Sequence, residues 1–213
     1  DIDGTLVNSD KEITPETLKY LMEIQRQGHL VALASGRPFP GMKQYADALE
    51  LERYGGYALS FNGGKVINCA IGEVIYQNCI PRRFAKVLYE FAKEKKIGMV
   101  TYQGDKVITG TDTDNYMEFE ARLNHMKLCE VDDFLGYVDF DMVKCLMTAD
   151  PEVSEQYEHE LAALVAPDLN VFRSEPYFIE ITVQGVDKAK SIGRLLAHIG
   201  MERENCICCG DGF

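Results

Sequence analysis

The chain has 213 residues, 46% of them apolar, which suffices for one large domain or two modest ones, each with a real core. Its net charge of −12 excludes the basic face that a nucleic-acid partner needs, yet leaves room for a small phosphate ester held by a local cation and a few donors. No apolar run approaches the roughly 18 residues of a membrane span and no basic-then-apolar leader is present, so the sequence predicts a cytoplasmic protein without a membrane partner.

The first stretch alternates helices and strands. Thr14-Pro15 reads as a helix N-cap followed by proline at the first helical position. Leu18, Leu21 and Met22 continue at helical spacing, and Gly28 sits where a helix ends. Leu30 to Ala34 is a short apolar run of the kind buried in parallel sheets, leading into Ser35-Gly36-Arg37-Pro38 and a helix through Leu49. Tyr57 to Phe61 is another such run, ending in Asn62-Gly63-Gly64. A hairpin is expected to follow, with Lys65–Asn68 against Glu73–Gln77. This alternation predicts a parallel sheet flanked by helices, whose ligands bind beyond the carboxyl ends of the strands. Asp1 and Asp3, Ser35, Asn62 and Asp211 all fall at or just past an expected strand end.

The character changes near Ile80-Pro81. From there the pattern predicts a helix over 82–96, strands over 98–102 and 106–109, and a shorter helix over 114–124. A strand over 143–148, a helix over 151–165 and strands over 170–173 and 178–182 follow. After Gly185 the α/β character returns. Asp187 reads as an N-cap, Ile192, Leu195, Leu196 and Ile199 form a helical stripe ended by Gly200, and Cys206–Cys209 is expected to be a closing strand. The division expected is therefore a discontinuous α/β core over 1–79 and 185–213, with an α+β module of 80–184 inserted as a hinged lid. The seven cysteines, odd in number and scattered, read as free thiols. In a strand, Cys206 and Cys209 of the formal C-x-x-C point to opposite faces and share neither a metal nor a disulfide.

Chemistry concentrates at the two ends. Asp1 and Asp3, one residue apart, repel each other unless a cation or a proton intervenes. Mg²⁺ takes one or two carboxylates plus phosphate oxygens, and a carboxylate can also attack phosphorus while its neighbour moves protons. A calcium-loop reading fails because Leu6 stands where that loop needs glycine; an ordinary Asp-Gly bend is the remaining rival. Ser35, Gly36 and Arg37 offer a hydroxyl and free N–H groups at a strand-to-helix junction, where a phosphate fits; a plain helix-capping turn is the alternative. Lys188 at a helix start is electrostatically misplaced without an anion nearby, with Lys190 as its competitor.

These pieces, in this order, resemble the haloacid dehalogenase superfamily. Asp1-Ile2-Asp3-Gly4-Thr5-Leu6 is similar to its first motif, Ser35 in Leu33-Ala34-Ser35-Gly36-Arg37-Pro38 to the second, Lys188 to the third and Gly210-Asp211-Gly212 to the start of the fourth. Phe61-Asn62-Gly63-Gly64 and Pro176 to Thr182 resemble segments of its Cof-like branch, which carries an α+β cap. The resemblance implies an α/β fold, a parallel-sheet Rossmann-like core with that cap inserted. It also implies a Mg²⁺-dependent phosphatase acting on a small phosphorylated metabolite, a sugar phosphate or related compound.

By the same resemblance Asp1 is nucleophile and metal ligand, and Asp3 is the acid/base, giving the metal its carbonyl. Ser35 and Gly36 bind phosphate with Asn62 beside them, Lys188 steadies nucleophile and phosphate, and Asp211 supports the metal. A phosphosugar mutase and a non-catalytic phosphometabolite-binding protein are the alternatives. Tyr116, Arg122 and His125 are candidates for contacting substrate from the cap. The family carries an apolar strand before the first aspartate and an Asn-Asp after the fourth motif, so the sequence is expected to be part of a longer chain. No oligomeric state is assigned.

Overall fold

The structure, a computed structural model, describes residues 1–211. The chain is α/β and divides into two compact units, Asp1–Gln77 with Val186–Phe213, and Asn78–Gly185. Among the described residues no helix is long and apolar enough to cross a membrane.

The first unit begins with helix α1 (Pro15–Arg26), whose N-cap Thr14 accepts the Thr17 N–H at 3.2 Å. Strand β1 (Ala32–Ala34), helix α2 (Phe39–Ala48) and the single-turn α3 (Leu51–Tyr54) follow, then strands β2 (Tyr57–Ser60), β3 (Lys65–Asn68) and β4 (Glu73–Gln77). The sheet runs β1-β2-β3-β4. Only β1 and β2 are parallel; β2–β3 and β3–β4 are antiparallel. One side of the unit is sealed by Ile2, Leu33, Met42, Leu49, Leu51 and Ala58. Gln25 of α1, also buried, donates from Nε2 to the Leu49 carbonyl at 2.9 Å, which satisfies the amide nitrogen.

The second unit contains α4 (Arg83–Lys95), β5 (Gly98–Gln103), β6 (Lys106–Thr109), α5 (Asn115–Leu123), β7 (Lys127–Glu130), α6 (Phe134–Tyr137), β8 (Lys144–Thr148), α7 (Pro151–Val165), β9 (Leu169–Glu175) and β10 (Phe178–Val183). Its sheet is ordered β7-β6-β5-β8-β10-β9, antiparallel except for β6 with β7. Alternate residues Met99, Cys145, Met147, Ile179 and Ile181 share a core with Phe84, Leu88 and Phe91 of α4 and Leu161 and Val165 of α7. Helix α8 (Lys188–Ile199) returns to the first unit, with Leu195 packing beside Leu59 and Val66.

Among the described residues neither end of the chain is a strand, which corrects the expectation for Cys206–Cys209. Residues 1–3 form a turn, because the Ile2 carbonyl accepts the N–H groups of Thr5, Leu6 and Val7 at 3.0–3.3 Å; only Asp3 makes a bridge, to Val7. Cys206–Cys209 is not a strand either. A strand needs a ladder along a neighbour, and the backbone bonds described there are Cys206 N–H to Arg203 and a single one from the Asp1 N–H to the Cys209 carbonyl at 2.8 Å. The opposite-face argument for Cys206 and Cys209 lapses with that strand, and the Cys206 and Cys208 sulfurs lie 3.7 Å apart. All seven cysteines are free thiols. Gly212, in the fourth motif, lies outside the described residues.

Candidate active site

The turn at residues 1–7 is made possible by Gly4, whose φ of 76° is a left-handed conformation that favours glycine. It exposes both oxygens of Asp1 to defined partners: Oδ1 accepts the Ile2 N–H at 2.7 Å, and Oδ2 accepts from Lys188 Nζ at 2.8 Å. Lys188 is the first residue of α8, whose N-cap Asp187 accepts the Lys190 N–H at 2.7 Å. Burial pulls the Lys188 pKa below its ordinary value, and the Asp211 and Asp3 carboxylates pull against it. The three carboxylates offset the unfavourable position of a cation at a helix start, which is worth about 0.3–1 kcal/mol. Lys190, the rival, pairs instead with Asp187 at 3.0 Å. Asp211 stands over Gly4: a Cβ there would lie 2.6 Å from Asp211 Oδ2, and a Cβ on Gly210 would lie 3.9 Å from that of Asp1.

Ser35, Gly36 and Asn62 form the adjoining part of the same unit. Ser35 leaves β1 with its N–H bonded to the Leu59 carbonyl at 2.9 Å, and its own carbonyl accepts the Asn62 N–H at 2.8 Å. A Cβ on Gly36 would stand 3.2–3.3 Å from the Asn62 amide, so the two turns are in contact. Asn62 is left-handed at φ 55°, a conformation that asparagine tolerates. The next residue, Gly63, gives its carbonyl to the buried Ser191 hydroxyl at 2.7 Å. Since Ser191 lies on α8, the Asn62 turn and the helix that carries Lys188 are tied together.

Sequence reasoning missed three members of this arrangement. Arg37 grips Asp3 with a fork, Nε to Oδ2 at 2.9 Å and Nη2 to Oδ1 at 2.8 Å, and Lys11 Nζ reaches Oδ1 at 2.8 Å. Burial pushes the Asp3 pKa up, but the hydrogen bonds from Arg37 and Lys11 outweigh it and hold the carboxyl at about 2. Arg37 stood inside the Ser35-Gly36-Arg37-Pro38 turn, and that was its only signal. Lys11 and Ser191 carried none.

The donors near Asp1 suit a hard dication. Asp1 and Asp211 supply carboxylates near Gly4 and Gly210, and the buried Thr5 hydroxyl has no hydrogen-bond partner among the described residues. Among the described residues no three His, Cys, Asp or Glu side chains gather into an all-protein cage. That sparse oxygen set fits Mg²⁺, which leaves most of its shell to water and phosphate. Two clefts of about 1040 and 640 Å³, one in each unit, include neither Asp1 nor Ser35 nor Lys188.

Comparison with known proteins shows the family of the chain. A haloacid dehalogenase-like hydrolase from Bacteroides thetaiotaomicron, of known crystal structure, is 43% identical with a TM-score of 0.95; the match covers 100% of this chain and 80% of that one. The Bacillus subtilis (strain 168) protein named "Putative phosphatase YxeH" is 26% identical over 99% of this chain and 78% of its own length. The HAD subclass IIB sugar phosphatase BT4131 is 21% identical with a TM-score of 0.77, over 96% of this chain and 76% of that one, and shares the fold. The family of haloacid dehalogenase-like hydrolases matches residues 1–213, the whole of the sequence. The chain therefore belongs to the haloacid dehalogenase-like hydrolases.

Proposed function

We propose that the protein is a Mg²⁺-dependent phosphatase that hydrolyses a small phosphorylated metabolite, a sugar phosphate or close analogue, through an aspartyl-phosphate. The observation that carries this reading is the Asp1 carboxylate, held by Lys188 at 2.8 Å with Asp211 alongside. One oxygen of Asp1 attacks phosphorus as the ester P–O bond breaks, and Asp3 gives its proton to the leaving oxygen. Water then attacks phosphorus, Asp3 takes its proton, and the Asp1–phosphorus bond breaks to release phosphate. Held at about 2, Asp3 rests as the carboxylate, the form needed in the second step. The charge of an arriving phosphate raises its proton affinity for the first.

The Ser35 hydroxyl and the Gly36 N–H cradle the phosphoryl oxygens, with Asn62 beside them, and Lys188 spreads their charge. Asp1, the Asp3 carbonyl and Asp211 are the residues that would hold Mg²⁺. When bound, it supplies charge neutralisation between the nucleophile and the phosphate. The inserted unit is taken as the cap of the Cof-like branch, with Tyr116, Arg122 and His125 as candidates for substrate contact. The sugar phosphatase BT4131 supports the substrate class, and the free thiols agree with a cytoplasmic setting.

The test is phosphate release by the full-length protein from a panel of sugar phosphates and an aryl phosphate, with Mg²⁺ or with a chelator. Activity should need Mg²⁺, and Asp1→Asn should lower it at least about 10³-fold. Turnover of a bisphosphorylated sugar without net phosphate release would point to a mutase instead. Absence of turnover with phosphate analogues still bound would point to a binding protein.

A further inference from the structure

Asp3 is gripped through both carboxylate oxygens, and the grip is built from Arg37 and Lys11. The Arg37 fork engages both Asp3 oxygens, at 2.9 and 2.8 Å, so it fixes the torsion of the carboxylate as well as its place. Arg37 is itself buried: its side chain is 9% exposed, and its guanidinium stands 5.9 Å from the ring centroid of buried Tyr45. Tyr45 in turn donates its hydroxyl to the Lys11 carbonyl at 3.2 Å, so one aromatic side chain supports both cations on Asp3. Lys11 sits at the tip of a turn, left-handed at φ 62°, with the Asn8 Oδ1 accepting the N–H groups of Asp10 and Glu12 on either side. The Arg37 backbone is clasped as well. Its N–H donates to Ser35 Oγ at 3.2 Å, and its carbonyl accepts the Phe61 N–H at 3.1 Å.

We propose that Arg37 is the positioning residue for Asp3, with Lys11 as a second support, and that together they register the proton-transfer carboxylate against the Ser35 phosphate cradle. The proposal rests on the reading of Asp3 as acid/base. One residue serves both ends of that registration, because Arg37 binds Ser35 through its backbone and Asp3 through its side chain. Proton transfer needs the carboxylate within hydrogen-bond reach of the leaving oxygen, and a displacement of about 1 Å is enough for a 10²-fold loss. A lysine at position 37 keeps the charge but not the fork.

In the full-length protein, Arg37→Lys should lower kcat by about 10–100-fold with KM changed less than about threefold. Lys11→Met, at an exposed position where folding is not at risk, should lower kcat by a few-fold, again with KM kept. Placed in an Asp3→Asn background, neither substitution should lower kcat further, since a positioning residue has nothing left to position. The proposal is overturned if Arg37→Lys leaves kcat unchanged, if the losses fall on KM, or if they persist unchanged in the Asp3→Asn background. Should Arg37→Lys fail to fold, Lys11→Met decides by the same criteria. A wild-type protein that releases no phosphate from any substrate would sink the phosphatase reading instead. The crystal structure of the Arg37→Lys protein then decides the positioning claim: a rotated Asp3 carboxylate upholds it, and an unmoved one overturns it.

Discussion

A side chain at Gly63 has nowhere to go. An added Cβ would collide with the Ser191 hydroxyl and lie 3.0 Å from the Asp187 carbonyl, at a backbone φ of 89°. Gly63→Ala is therefore expected to lower stability by about 1–3 kcal/mol, read as a reduced urea midpoint with an unchanged slope. At this scale the glycines and carboxylates were legible, because turns and charge pairs leave a local mark. Arg37 was in plain view beside Ser35, but its role depends on Asp3, 34 residues away. Ser191 was invisible, since a serine on a helix looks alike whether it faces water or, as here, the Gly63 carbonyl.

Among the elements, helix α8 depends on its cap. Asp187 accepts the Lys190 N–H at 2.7 Å, and that bond, ahead of the opposing effect of burial, holds its pKa below the ordinary 3.8. Asp187→Ala should cost about 1 kcal/mol in urea unfolding. Asp3, at about 2, is depressed in the same direction. Both carboxylates bind protons more weakly in the folded than in the unfolded chain. Their stabilisation is thus present above the ordinary carboxylate pKa, begins to fall below about pH 5, and is lost as pH falls further. Urea midpoints of the metal-free protein, measured from pH 6 to pH 2, should fall steeply only below about pH 4, and less steeply in Asp187→Ala.

Caps and apolar periodicity made α1, α2, α4, α5, α7, α8 and the 65–77 hairpin readable. Strand β7 escaped because Lys127-Leu128-Cys129-Glu130 has no burial pattern of its own and is held by its register with β6. Cys206–Cys209 erred the other way, since small apolar residues suit a strand but cannot form one without a ladder.

Over the whole molecule, each unit has its own apolar core. The second also buries a charge pair, Lys144 Nζ to Glu180 Oε1 at 3.3 Å, with both side chains less than 10% exposed. The pair lies beside Tyr102, whose phenol burial pushes well above its ordinary pKa, with Glu120 adding to the effect. Among the described residues Glu180 Oε2 has no hydrogen-bond partner. Removing one charge strands the other, so Lys144→Met should cost about 3–5 kcal/mol, whereas Lys144→Met with Glu180→Leu should recover most of that loss. Thermal or urea unfolding of the two variants checks the non-additivity.

The sequence by itself determined the local terms of this protein: where helices begin, which runs are buried, and the order in which carboxylates, serine and lysine recur. Each of these depends on residues within a turn or two of one another. Only the tertiary structure decided which charge meets which. Asp1 finds Lys188 across 187 positions and Asp3 finds Arg37 across 34. Such meetings follow from how β1, β2 and α8 pack on their shared core, and spacing along a chain carries no record of that packing.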